Sequence, residues 1–99
     1  MKTKSHLSKQ AEADLDDIWL YVAQDSLRYA DRLITEIHDK CELLASSPRL
    51  GRLGDELRPS VRSFPCGEYV IFCRLSTEGI EVVRILHGHR DIETIFRTE

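Results

Sequence analysis

Lysine vanishes from this sequence after Lys40. Every later basic side chain is an arginine: Arg49, Arg52, Arg58, Arg62, Arg74, Arg84, Arg90 and Arg97. Arginine is suited to bidentate pairing with carboxylate or phosphate, so the C-terminal half reads as built to meet an anion or an acidic partner. A net basic charge is missing as well. The formal balance is −3 and the pI ≈ 5.8, whereas a nucleic-acid binder of this size draws most of its affinity from phosphate contacts. Direct nucleic-acid binding is therefore not expected. No apolar run approaches the roughly 18 residues a membrane span needs, and the opening MKTKSHLSKQ holds no apolar leader core. Cysteine is scarce: Cys41, Cys66 and Cys73 have no C-x-x-C spacing. That excludes a disulfide framework and points to a reduced, cytoplasmic setting in which each thiol acts as a small apolar residue. Metal-ligand spacing is lacking too. His87 and His89 sit two apart, but His6, His38 and the scattered cysteines do not complete the four-ligand set of structural zinc. Neither a metal nor a cofactor is expected.

What is present is the pattern of one folded domain over residues 1–99, with a single core and little room for a deep enclosed pocket. The stretch from Thr3 to Leu7 reads as a short strand, and Ser8 as a helix N-cap. Ala11, Leu15, Ile18, Trp19 and Val22 then recur at helical spacing. Glu12, Asp14, Asp16 and Asp17 fall on the other faces, as a solvated acidic surface that suits a helix N-terminus. Trp19 is assigned to the core, while Tyr21 falls off the stripe and is left for contact or solvent. Gln24 to Ser26 breaks the pattern, with Asp25 or Ser26 as the next cap. Ala30, Leu33, Ile34, Ile37, Cys41 and Leu44 form a second apolar stripe, ended by Pro48. So short a break predicts an antiparallel helical hairpin.

Pro48 to Pro59 is punctuated by glycine and proline and reads as a long loop, in which Arg49 and Arg52 are assigned to solvent. Strand-like runs follow at Val61–Phe64, Tyr69–Leu75 and Ile80–Leu86, separated by hairpin-length turns. Asp91 to Arg97 can add a short helix with Ile92, Ile95 and Phe96 inward. The expected fold class is α+β: a short N-terminal strand, an αα-hairpin packed on an antiparallel β-meander, and a short C-terminal helix. Both strand faces are partly apolar, so both need cover.

The segments AEADLDDIWLYV, CELLASSPRLGR, LRPSVRSFPCGEYVIFCRL and VVRILHGHRD, in this order, resemble the ParE branch of the RelE/ParE toxin superfamily of bacterial type II toxin–antitoxin modules. The resemblance spans nearly the whole chain. It implies a RelE/ParE-like fold and a toxin neutralised by a cognate antitoxin, whose disordered C-terminal segment wraps it in a hetero-oligomer. ParE members are associated with poisoning DNA gyrase, whereas RelE members cleave mRNA in the ribosome. A homologue that binds its antitoxin without being toxic is a further alternative.

The chemistry-bearing residues weigh these alternatives. Metal-independent RNA cleavage needs a base for the 2′-hydroxyl, an acid for the leaving oxygen and cations for the phosphate. RelE-like enzymes supply strand lysines, arginines and a late tyrosine. Here the strands offer no lysine, and Phe96 stands where that tyrosine would be. The ribonuclease alternative would rest on Arg62, Arg84, His87, His89 and Arg90. The preferred reading is a gyrase-binding inhibitor without a catalytic set, whose partner contacts are Arg62, Arg74, Arg84, His87 and Arg90. Arg84 is read on the face opposite Val83 and Ile85. There it meets either an acidic antitoxin group or an internal carboxylate, from Asp91 or from a helix.

Overall fold

The computed structural model describes residues 4–98; Thr3 of the expected first strand lies outside them. Strand β1 (Lys4–Leu7) leads into helices α1 (Lys9–Ala23) and α2 (Leu27–Ser46). Both helices start where serine can cap. Ser8 Oγ accepts from the Ala11 N–H at 3.0 Å and Ser26 Oγ from the Tyr29 N–H at 3.1 Å, each satisfying a donor that the helix start leaves orphaned. Of the second stripe, Ala30, Leu33, Ile37, Cys41 and Leu44 are buried on the inner face of α2, and Ile34 is partly buried at its margin. A single 3-10 turn at Pro48–Leu50 follows.

The sheet has five strands in the order β1-β5-β4-β3-β2. Strands β3 (Arg62–Cys66), β4 (Tyr69–Ser76) and β5 (Gly79–His87) form the expected antiparallel meander. Strand β1 joins its edge in parallel with β5. The loop after the helices also contributes a two-residue strand, β2 (Arg52–Leu53), which the sequence pattern did not show. It is tied back to β3 because Arg62 Nη1 donates to the Gly51 carbonyl at 2.8 Å, and the Gly54 N–H donates to the Val61 carbonyl at 2.7 Å. The β3–β4 turn is two residues long, and Gly67 at φ 61 supplies the positive first dihedral of a type II′ hairpin.

One irregularity sets the orientation of β5. Arg84 pairs with Phe72 but Val82 pairs with Cys73, so Val83 is an extra residue, a β-bulge. The bulge breaks strict alternation. Val82 and Ile85 pack under the helical hairpin, with Ile71, Ile37 and Leu44. Val83 and Leu86 pack on the other face, with Val61, Phe72 and Phe96. The expectation that Val83 and Ile85 share a face is therefore corrected.

The second face is covered by the chain itself. Helix α3 (Ile92–Arg97) buries Phe96 and partly buries Ile92 and Ile95 against it. The Phe96 ring meets Phe72 edge-on at 4.9 Å, and the Arg58 guanidinium lies 5.1 Å over it. The cover that the second face needs is thus supplied from within the chain at this patch.

Candidate partner-binding site

Strand β1 is shorter than its neighbour. Its pairing with β5 stops at Leu7–Val82, while β5 runs on to His87. The exposed edge would leave backbone groups unsatisfied, and the start of α1 takes over from the strand. The Ser8 N–H donates to the Val82 carbonyl and Ser8 Oγ to the Val83 carbonyl, both at 2.9 Å. Two turns on, Asp14 Oδ2 accepts from the Ile85 N–H at 2.9 Å. The same carboxylate takes a bidentate pair from Arg84, with Nε to Oδ2 at 2.8 Å and Nη2 to Oδ1 at 2.9 Å.

Asp14 is therefore not part of the solvated acidic surface. It is buried, as Asp16 and Asp17 are not. Its spacing was the available signal: Asp14 lies three residues after Ala11 and four before Ile18, inside the apolar stripe. Of the two readings of Arg84, the structure holds the internal pair, with a helix carboxylate. Its side chain is only 13% exposed.

The other candidate residues are dispersed. Arg74 is ion-paired with Glu81 across the strands at 2.8 Å. Arg62, opposite Cys73, is half-buried and donates to Gly51. His87 faces Tyr69 at the opposite end of β4, four strand positions and roughly 13 Å from Cys73. His87 stacks edge-on to Tyr69 at 5.2 Å, and its Nδ1 accepts from the His89 N–H at 3.1 Å. His89 and Arg90 are exposed on the turn that follows. The structure thus gathers His87, His89 and Arg90, and leaves Arg62 and Arg74 elsewhere. Among the described residues, no three His, Cys, Asp or Glu side chains are placed to hold a metal ion. No helix among them is long and apolar enough to cross a membrane.

His87 and Arg90 border an open groove of ≈ 670 Å³ between the tip of the helical hairpin and the end of β5. Composition and periodicity missed most of its lining. Asp17 comes from the middle of α1, Tyr21 and Asp25 from its last turn and the turn after it, Tyr29 from the first turn of α2, and Glu68 and Tyr69 from the β3–β4 hairpin. Tyr21 was the one lining ring that the helical pattern set aside; it is 70% exposed. Burial pushes the Tyr69 hydroxyl above its ordinary value, with the nearby Glu68 carboxylate adding to the rise. Trp19 is only partly buried. It faces away from the groove's lining, and its indole N–H donates to Asp31 at 2.8 Å.

The fold and its sequence have known counterparts. Residues 6–92 match the family described as the ParE toxin of the type II toxin–antitoxin system parDE. Toxin ParE1 of Mycobacterium tuberculosis (strain ATCC 25618 / H37Rv) is 34% identical over 95 residues, which cover 94% of this chain and 97% of that protein. Toxin ParE1 of Caulobacter vibrioides is 35% identical over 82 residues, 82% of this chain and 84% of its own length. A solved structure, the chromosomal ParDE TA system from P. aeruginosa, shares the fold with a TM-score of 0.74. It is 22% identical and covers 87% of this chain and 96% of that one. On a match that takes in most of its length, this chain belongs to the ParE toxin family of type II toxin–antitoxin systems.

Proposed function

We propose that this ParE-family toxin acts by binding rather than by catalysis, with DNA gyrase as its target and a cognate antitoxin holding it inactive. The observation that carries the reading is that Arg62, Arg74 and Arg84 are each engaged away from the turn that gathers His87, His89 and Arg90. A ribonuclease must bring cations and an acid–base pair to one phosphate. Here Arg84 is held by Asp14, Arg74 by Glu81 and Arg62 by the Gly51 carbonyl. Phe96 is buried under Arg58 and carries no hydroxyl. Gyrase follows from the family and not from any contact in the fold. The antitoxin follows from the family in the same way, and the relative solved as a ParDE system supports it.

The test pairs two assays on the purified protein: gyrase with supercoiled DNA, and translating ribosomes with mRNA. Inhibited supercoiling or trapped cleavage complexes, with intact mRNA, is expected. Cut mRNA with unaffected gyrase would overturn the reading in favour of a ribonuclease. Inactivity in both, without toxicity on expression, would leave a homologue that binds only its antitoxin. Addition of a cognate antitoxin should abolish whichever activity appears.

A further inference from the structure

The groove at the hairpin tip has a chemistry opposite to the one the arginine-rich sequence suggests. Its floor is apolar, built by Ile18, Val22, Leu33 and Ile85. Three tyrosine rings line it, of which Tyr21 is 70% and Tyr29 52% exposed. Around that floor stand Asp17, Asp25 and Glu68, against Arg90 as the one arginine or lysine on the lining among the described residues. No ion pair among the described residues reaches those three carboxylates, whereas Asp14 is matched by Arg84. The local balance is negative. A phosphate-bearing ligand entering the groove meets repulsion; a cation meets carboxylates and ring faces together.

We propose that this groove docks a partner-protein segment in which an arginine or lysine is flanked by apolar side chains. The cation would sit between the rim carboxylates and the Tyr21 and Tyr29 rings. The flanking side chains would cover the apolar floor. The combination of a buried cationic anchor and aromatic walls is the kind that dominates interface energetics. A guanidinium suits it best, since it can stack on a ring and fork to a carboxylate at once. The groove's chemistry is the same whichever target the toxin strikes.

The experiment is a nitrogen-15 NMR titration of the full chain with the acetylated, amidated tripeptides Leu-Arg-Leu and Leu-Glu-Leu, and with a single-stranded hexanucleotide. Leu-Arg-Leu should shift the amides of Tyr21, Tyr29, Glu68 and His87 saturably, and bind at least roughly tenfold more tightly than Leu-Glu-Leu. The double variant Asp25→Asn with Glu68→Gln should weaken it by roughly tenfold. Both positions are exposed, so its spectrum elsewhere should stay unchanged and report an intact fold. Equal binding of the two peptides would overturn the proposal. So would the absence of saturable shifts in the groove, an unweakened double variant, or the same amides moving with the oligonucleotide.

Discussion

Replacing Asp14 with alanine should be among the most damaging single changes in the protein. The substitution removes the bidentate acceptor of Arg84 and the acceptor of the Ile85 N–H together. Side-chain exposures of 13% for Arg84 and 10% for Asp14 leave little water to compensate. Breaking a buried ion pair by removing one partner costs about 3–5 kcal/mol. The stranded amide belongs to the same site, so its cost is not simply added. A domain of this length holds about 5–15 kcal/mol in all. Asp14→Ala should therefore lower Tm by about 15–30 °C, in thermal and urea unfolding followed by circular dichroism.

The companion variant is Arg84→Met, which keeps the side-chain volume and strands the carboxylate. Alone it should cost a similar amount, since Asp14 is then buried without its cation. Together the two changes should cost less than their sum by about 2 kcal/mol or more, because the double variant buries no unmatched charge. If Asp14→Ala costs less than about 1 kcal/mol, the range of an exposed ion pair, or if the two losses add without coupling, then Asp14 does not close the β5 edge as argued.

Four smaller expectations follow from the same structure. Gly79 has φ 154, and a Cβ there would lie 2.2 Å from the Lys4 carbonyl oxygen; Gly79→Ala should release β1, cost about 1–3 kcal/mol, and speed hydrogen exchange in Lys4–Leu7. Phe96→Ala should cost about 3 kcal/mol in urea unfolding, because it opens the contact with Phe72 and the seat of Arg58. The hydrogen bonds from the Thr94 hydroxyl and N–H hold the Asp91 carboxyl below its ordinary value. A depressed carboxyl stabilises the start of α3 above the ordinary value and loses that contribution as pH falls through its folded value, so Thr94 amide exchange should accelerate only in that acid range. Burial pushes the Cys41 thiol up to about 12 and raises Cys66 and Cys73 as well; all three should resist alkylation at neutral pH until urea unfolds the chain.

The helical hairpin was legible because its signals are local. Two serine caps and one clean stripe at α2 suffice to place it. The meander was legible for the same reason, through period-2 runs and short turns. What could not be read was pairing between distant segments. Nothing local marks Arg52–Leu53 as a strand, since its partner is β3. The bulge at Val83 depends on the register of β4 against β5, and it separates the faces of Val83 and Ile85 that the pattern had put together. The groove is hidden for the same reason: hairpin tip, β-turn and strand end meet only in three dimensions. Asp14 is the exception, because a carboxylate at stripe spacing is visible in one dimension once the stripe is taken literally.

Arginine count is a poor guide to which sign of charge a partner must carry. The late arginines suggested an acidic partner, yet the fold consumes several of them internally. Arg74 pairs with Glu81, Arg84 with Asp14, Arg62 reaches a backbone carbonyl and Arg58 covers a phenyl ring. Each bond lowers the cationic character available to a ligand. The carboxylates at the hairpin tip are treated in the opposite way. Asp17 and Asp25, on α1 and the turn after it, converge at one groove with Glu68 of the distant β3–β4 turn, without an ion pair among the described residues. The charge a partner meets is what remains after internal pairing, and at this groove the remainder is negative. An acidic segment drawn to this protein should therefore avoid the hairpin tip and seek the exposed Arg49 or Arg97 side chains instead, and a basic one should do the reverse.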